Sequence, residues 1–363
     1  MSSGPKALID TAALRHNLGV VRARAGGARV MAVIKANAYG HGLVPAARAL
    51  TGADAFGVAR LEEGLVLRDA GLTQTVVLLE GVFSSEDLVL AAARDFEIVV
   101  HSRSQLALLE QWQGAGQVRV WFKIDSGMNR LGFRLEQSRS AWERLMKTGR
   151  VRGTPRLMTH LARADERAES TTARQVREFE EAVATLPDAS EAERSIANSA
   201  GLLAWPEARG DWVRPGLSLY GISPFPHELA RDYGLRPAMT LTTRLIAVGE
   251  VAEGEGVGYG AAWRAPRRSL IGIAAVGYGD GYPRHMKSGA PVLVNGNTAS
   301  LVGRVSMDMI AIDITDAPAV VGDPVVLWGE GLPAEQLALH ADTIPYELVC
   351  GVSQRVQMAY SGT

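Results

Sequence analysis

The segment Val30-Met-Ala-Val-Ile-Lys35-Ala-Asn-Ala-Tyr39-Gly-His-Gly42 runs five apolar residues straight into a lysine. A continuous apolar run of this kind reads as a strand buried on both faces, as in parallel sheets. Lys35 then stands at the strand's C-terminal end. Burying an ammonium is costly unless it is paired or neutralised. A desolvated amine has a lowered pKa and can condense with a carbonyl cofactor. The plainer alternative is a strand-end lysine whose head reaches solvent. Asn37, Gly40 and Gly42 are loop formers, and Tyr39 offers a hydroxyl to a phosphate.

Outward from this segment, short apolar runs alternate with longer amphipathic ones from about residue 5 to 235. The apolar runs are 29–36, 55–59, 75–80, 97–101, 118–125, 156–161, 194–198 and 212–214. Between them, stretches such as 43–50, 61–70, 105–111 and 171–184 carry apolar residues at three- and four-residue spacing and read as helices. Eight strand–helix units predict an α/β fold with an N-terminal (β/α)8 TIM-type barrel, whose site lies at the C-terminal ends of the strands. There Lys35 ends strand one, Asp125 strand five, and His160 lies near the end of strand six. Asn198-Ser199 follows strand seven and Arg214-Pro215-Gly216 strand eight. Loops after the last two strands are the usual phosphate site of such barrels. Ser199 has a hydroxyl, and Gly216 and Leu217 have N–H groups open to close approach. A phosphate on one side of the mouth and a carbonyl-seeking lysine on the other fit pyridoxal 5'-phosphate.

Beyond Pro237 the runs 240–251, 270–276, 291–294, 300–315 and 324–328 are β-branched and bounded by glycine-rich turns. They predict a C-terminal, mostly β domain with one helix near 334–341. The expected domains are 1–235 and 236–363, the first few residues being candidates to pair with the second.

Composition narrows the class. Hydrophobic residues make up 47% and charged residues 21%, an ordinary soluble globular balance. The 38 basic residues nearly cancel the 39 acidic ones, which gives no electrostatic footprint for nucleic acid or an anionic membrane. Cys350 is the only cysteine, so no internal disulfide and no cysteine metal cluster is possible. No secretory leader or membrane-spanning run is expected, and the reading is a cytoplasmic enzyme. Histidines and carboxylates show no metal-ligand spacing, and Gly254 to Gly260 does not join a strand to a helix as a dinucleotide loop must.

Seven motifs together resemble alanine racemases. They are Lys35-Ala-Asn-Ala-Tyr-Gly-His-Gly, Lys123-Ile-Asp-Ser-Gly-Met-Asn-Arg-Leu-Gly-Phe133, Thr159-His-Leu-Ala-Arg-Ala-Asp165, Trp212-Val-Arg-Pro-Gly-Leu-Ser-Leu-Tyr-Gly221, Val257-Gly-Tyr-Gly260, Gly277-Tyr-Gly-Asp-Gly-Tyr-Pro-Arg284 and Gly303-Arg-Val-Ser-Met-Asp308. The resemblance spans about residues 6–361. It implies a pyridoxal-phosphate-dependent enzyme interconverting L- and D-alanine, for peptidoglycan or for D-alanine breakdown, built as a homodimer with shared active sites.

The same resemblance implies a role for each site residue. Lys35 holds the cofactor and acts as one base, and Tyr259, from the other subunit, is the second. Inversion at a carbon needs a proton donor on the face opposite the base. Cofactor contacts fall on Tyr39, His160, Ser199, Arg214, Gly216, Leu217 and Tyr346, with Arg214 facing the pyridine nitrogen and His160 bonded to Arg214. Arg130 and the N–H of Met307 hold the substrate carboxylate. Lys123 matches a lysine carbamylated in some relatives. Tyr278 matches a gate, and Asp165, Arg284 and Asp308 belong to the access corridor.

Blander readings stand beside these. Tyr259 is also a plausible turn tyrosine between glycines, His160 a satisfied strand-end histidine, Arg130 a surface cation and Met307 a core residue. His101 and Asp125 are read as structural. The rival functions are a barrel-type amino-acid decarboxylase, which would carry a glutamate where Arg214 stands, and a non-enzymatic pyridoxal-phosphate carrier, which would lack the β domain. A broad-specificity racemase, usually exported with disulfides, is a third.

Overall fold

The computed structural model describes residues 4–114, 116–168 and 170–362. Strand β1 (Lys6–Asp10) opens the chain and leads into helix Thr11–Ala25. Five strands follow: β2 (Arg29–Val33), β3 (Ala55–Val58), β4 (Thr75–Leu78), β5 (Phe96–Val100) and β6 (Val120–Asp125). After the two-residue β7 (Phe133–Arg134) come β8 (Arg156–Met158), β9 (Arg194–Ser195) and β10 (Trp212–Val213). Their order is β5-β4-β3-β2-β10-β9-β8-β6, all parallel, and β5 also pairs with β6. The eight strands therefore close into the expected barrel. Helices such as Leu43–Ala49, Leu61–Asp69, Arg103–Gln111 and Thr171–Ala184 return the chain between strands.

All of the barrel strands but β6 end one to three residues before the apolar run that announces them, because the last residues of the run already turn into the mouth loops. Met31, Ala55, Val77, Val99, Trp121, Met158 and Trp212 form one buried cluster inside the barrel. Each comes from a different strand, so this is a packed layer of side chains and the barrel is solid at that level.

The strand-rich part comprises β11 (Met239–Val251), β12 (Gly256–Val257), β13 (Trp263–Arg264), β14 (Ser269–Ala274), β15 (Pro291–Val294), β16 (Asn297–Val302), β17 (Ile310–Asp313), β18 (Pro324–Trp328) and β19 (Gln357–Ser361). The long β11 pairs through one half with β18 and β1 and through the other with β14. The ring β14-β17-β16-β15-β18-β11 closes on itself, with β1 and β19 attached at β11.

Several elements differ from the sequence reading. The expected strand 300–315 is two strands, β16 and β17, parted at Gly303. That residue has φ +74°, and a Cβ on it would lie 3.0 Å from the Val257 carbonyl oxygen, so the backbone leaves the ladder there. Helix Pro345–Cys350, strand β19 and the two-residue strands β7, β12 and β13 are additional.

The chain also divides differently, into residues 17–38 with 42–219 and residues 4–16, 39–41 and 220–362. The expected boundary at 235/236 falls later than this. Tyr220 already folds with the strands, its carbonyl accepting the Ala238 N–H at 3.0 Å. A Cβ on Gly221 would sit 1.6 Å from the Arg236 carbonyl oxygen, so this crossing requires glycine.

Candidate active site

Lys35 leaves β2 half-buried, and the chain then makes an unusual turn. Ala36, Asn37, Ala38 and Tyr39 all have left-handed backbone, with φ of 53°, 54°, 54° and 52°. Left-handed geometry costs roughly 1–2 kcal/mol per non-glycine residue, so surrounding bonds must hold it. The Ala36 N–H donates to Glu63 Oε1 at 2.7 Å, and Asn37 Oδ1 accepts the Leu43 N–H at 2.8 Å. The Ala38 N–H reaches back to the Ile34 carbonyl at 2.9 Å. Glu63 Oε2 in turn accepts the Ala59 N–H at 2.8 Å. One carboxylate thus ties the turn after Lys35 to the end of β3.

Inside the barrel mouth, Lys123 is buried on β6, with its pKa lowered to about 7. Loss of hydration is the main cause, and the charges of Arg214, Arg130 and Lys35 add to it against a smaller opposing effect of Asp125. His160, just past β8, is held well below its ordinary pKa by burial and by the same cations with Lys123. Arg214, buried past β10, donates to Ser195 Oγ at 2.7 Å and to the Thr159 carbonyl at 2.6 Å. Its Nη2 also lies 3.3 Å from His160 Nδ1. Arginine has only donors, so Nδ1 of this neutral imidazole is the acceptor and the ring proton is on Nε2. Among the described residues, Lys35, Lys123, Arg130 and Arg214 form no ion pair, and the Arg214 Nε–H has no acceptor.

Nearby, Ser199 Oγ accepts the N–H groups of Gly216 at 2.9 Å and Ser218 at 3.3 Å. Leu217 opens the short turn Leu217–Tyr220, so its N–H is not used within that turn. Asn198 caps helix Ser199–Ala204 by accepting the Gly201 N–H at 2.9 Å, which fixes how Ser199 is presented. The exposed Arg130 rides on a loop gathered by Asp125, whose Oδ1 accepts the N–H groups of Gly127 and Asn129, both at 3.0 Å. Asp165 is exposed on the loop after β8.

In the strand-rich unit, Tyr39 is buried, stacks on Tyr220 at 4.8 Å between ring centroids and lies 5.8 Å from the Tyr346 ring. Burial, with Tyr346 and Cys350 nearby, pushes the Tyr39 phenol far above its ordinary pKa, so its hydroxyl stays a donor. Tyr259 opens the single turn Tyr259–Ala261 and is 67% exposed. The Tyr278 N–H donates to the Ser306 carbonyl at 3.0 Å and the Gly279 N–H to that of Met307 at 2.9 Å, so these two loops are laced together. Asp308 pairs with Arg355 at 2.7 Å.

Two clusters therefore gather most of the predicted residues. Lys35, Lys123, Arg130, His160, Arg214, Ser199, Gly216 and Leu217 belong to the barrel; Tyr39 with Tyr346, and Tyr278 with Met307 and Asp308, belong to the strand-rich unit. Tyr259, Arg284 and Asp165 have no hydrogen bond or ion pair to another predicted residue among those described. Glu63, Asn198, Asp125, Asp280 and Arg355 hold the loops in place, and none was singled out from sequence as functional. Asn198 had a signal as an N-cap residue ahead of a short helix, and Asp125 as the carboxylate that ends strand five, which was read as structural.

The chain matches the family models described as alanine racemase, N-terminal domain, over residues 9–224 and alanine racemase, C-terminal domain, over residues 238–360. The alanine racemase of Aeromonas hydrophila subsp. hydrophila is 51% identical over 355 residues, 98% of each chain. That of Nitrosococcus oceani is 51% identical over 353 residues, 97% of this chain and 98% of the other. The solved structure of the biosynthetic alanine racemase from Pseudomonas aeruginosa superposes with a TM-score of 0.94 at 42% identity, covering 99% of this chain and 100% of that one. Matched along nearly its whole length in both sequence and fold, the chain belongs to the alanine racemase family.

Proposed function

We propose that the chain is a cytoplasmic, pyridoxal-5'-phosphate-dependent racemase that interconverts L- and D-alanine as a homodimer with shared sites. The observation that carries this reading is the group of Lys35, Arg130 and Arg214, which meet around the buried amine of Lys123 at the barrel mouth with no ion-paired carboxylate among the described residues. Charges so placed need anions. A phosphate and a substrate carboxylate provide them. The residues also fit the cofactor in detail. Ser199, the Leu217 N–H and the phenols of Tyr39 and Tyr346 would be donors for its phosphate, joined by the Gly216 N–H once it leaves Ser199 Oγ. The free Arg214 Nε–H suits an unprotonated ring nitrogen, and His160 steadies that guanidinium.

Bound pyridoxal phosphate supplies an electron-poor ring over which the charge left by α-proton removal is spread. The chain's own groups do the rest. Lys35 anchors the cofactor, and its Nζ takes or returns the proton on one face of the α-carbon. Tyr259 of the partner subunit serves the opposite face, so that one proton leaves as another arrives. Arg214, which has only donors to offer and does not give up its proton in practice, would hold a ring nitrogen that stays unprotonated. Arg130 and the Met307 N–H orient the substrate carboxylate. With a pKa of about 7, Lys123 is partly a neutral amine at pH 7–8. It can add carbon dioxide, forming an N–C bond and releasing one proton to water, and the resulting anion sits among the cations that surround it. Tyr278 narrows the entrance, with Asp165, Arg284 and Asp308 along the corridor, and bulk is excluded there in favour of a methyl side chain.

A shared site is supported by what the strand-rich unit leaves uncovered: Tyr259 is 67%, Met307 52%, Met309 43% and Tyr278 41% exposed. Tyr278, Met307 and Met309 stand on loops bonded to one another, and large exposed apolar side chains brought together in this way are typical of a surface that a second copy covers. The rival readings lack such support: Arg214 stands where a decarboxylase would carry glutamate, and a carrier would lack the matched C-terminal domain.

The test is complementation. Lys35→Ala and Tyr259→Phe are each expected to lower racemisation about 100-fold or more. Co-expressed, they should restore about a quarter of wild-type activity, since half the dimers are mixed and each carries one intact site. A yellow wild-type protein that binds the cofactor but makes no D-alanine would refute the racemase reading. A mixture as inactive as its parents would refute the shared site.

A further inference from the structure

The loops of Tyr278 and Met307 are laced to a third segment, and one side chain closes the arrangement. Arg355 lies just before β19 and is half-exposed. Its Nε is 3.3 Å from Asp280 Oδ1, and its Nη2 donates to Asp308 Oδ1 at 2.7 Å. Asp280 is buried, and its other oxygen accepts the Gly277 N–H at 2.9 Å. The Asp280 carbonyl accepts the Ser353 N–H at 3.1 Å, and Ser353 Oγ donates to the Gly279 carbonyl at 3.0 Å. Glycines make the close fit possible. A Cβ on Gly279 would stand 2.4 Å from Arg355 Nη1, and one on Gly277 2.2 Å from the Ser306 carbonyl oxygen.

The Arg355–Asp308 pair, half-exposed on both sides, contributes little to global stability. What Arg355 adds is geometry. Its planar fork reaches two carboxylates on two different loops, one on the Tyr278 turn and one directly after Met307. We propose that Arg355 is a specificity-setting positioning residue, which fixes the spacing between the Tyr278 gate and the Met307 backbone and so limits the substrate side chain to about the size of a methyl. This rests on the roles assigned above to Tyr278 and Met307. With the fork removed, Asp280 and Asp308 repel one another, the two loops separate and longer side chains enter.

Arg355→Met and Arg355→Lys test it by two readouts. The first is hydrogen exchange in the cofactor-free protein, which does not depend on activity. The amides of Tyr278 and Gly279 should exchange at least tenfold faster in Arg355→Met, with barrel amides unchanged. The second is the ratio of kcat/KM for 2-aminobutyrate to that for alanine, expected to rise about tenfold in Arg355→Met through a lower KM for the larger substrate. Arg355→Lys keeps the charge but reaches one carboxylate at a time, and should fall between. Unchanged exchange and an unchanged ratio overturn the proposal, as does a uniform loss of kcat on both substrates. If the wild type racemises neither amino acid while exchange still accelerates, the functional reading fails and the loop lock stands.

Discussion

Lys123 is a buried amine whose loss of hydration is compounded by the charges of Arg214, Arg130 and Lys35 and offset in part by Asp125. Its pKa of about 7, against an ordinary value of 10.5, links stability to pH with a definite sign. Below pH 7 both folded and unfolded chains hold the proton, and the folded state bears the full cost of a buried cation. Between about pH 7 and 10.5 the unfolded chain still binds that proton and the folded chain does not, so stability rises with pH. Lys123→Met removes this dependence. In carbonate-free buffer and without cofactor, the Tm of the wild type relative to Lys123→Met should climb steadily from pH 7 to about pH 9.5. A flat difference would show that Lys123 keeps its proton when folded.

At the scale of elements, the turn from Ala36 to Tyr39 stores the strain that sets Lys35 and Tyr39 in place. Its exit is Gly40, with φ +78°, where a Cβ would lie 2.1 Å from the Val349 carbonyl oxygen. Gly40→Ala combines a steric clash with left-handed geometry. It should destabilise the protein by about 2 kcal/mol or more and weaken cofactor binding, because Tyr39 and helix Pro345–Cys350 are displaced together. Ala36→Gly, at φ +53°, relieves strain and should leave the protein as stable or up to about 1 kcal/mol more stable. Thermal unfolding and titration with pyridoxal phosphate separate the two effects; a Gly40→Ala protein that melts and binds like wild type would contradict the strained-turn account. The composition of this turn conceals it. Alanine, asparagine and tyrosine carry no mark of left-handed backbone, and what enforces it is Glu63, which lies on another helix. Strand β19 is hidden for a similar reason. Gln357–Ser361 has no strong alternation, and it is extended because it lies beside Lys6–Asp10 at the other end of the chain. The barrel strands were legible because burial on both faces leaves an unbroken apolar run in the sequence itself. Most of the chemical groups were legible for a related reason: they stand where such runs stop. The groups that aim them were not, since Asp125, Glu63 and Asp280 act by accepting backbone N–H groups, and any carboxylate looks alike in sequence.

Across the barrel as a whole, chemistry and stability occupy opposite ends. Lys35, Lys123, Arg130, His160 and Arg214 gather at the C-terminal ends of the strands, while the N-terminal ends are closed by an ionic and aromatic layer. Arg156 donates to Glu97 and to Glu193, both at 2.6 Å, and the two tryptophans of the barrel core donate to the same carboxylates, Trp121 to Glu97 at 2.7 Å and Trp212 to Glu193 at 2.8 Å. Arg29 and Arg156 both lie over the Trp212 ring, at 4.4 and 5.1 Å from its centroid. Hydrogen bonds from Arg29, Trp212 and Arg156 hold the Glu193 carboxyl at a pKa of about 2 despite its partial burial. Glu97 is 4% exposed, and with Arg156 gone only Arg119, at 3.9 Å, would face its charge among the described residues. Removing one partner of a buried pair leaves an uncompensated charge, so Arg156→Met should cost about 3 kcal/mol. The double variant Arg156→Met with Glu97→Gln should recover part of that loss, because a neutral amide tolerates burial better than a lone carboxylate. Since this layer lies at the far end of the strands from Lys35, KM and the pH profile of racemisation should not change in either variant, and only the temperature of inactivation should fall. Chemical denaturation of both variants beside steady-state kinetics decides the matter: altered kinetics at unchanged stability would mean that the two ends of the barrel are coupled and that its floor takes part in the chemistry at its mouth.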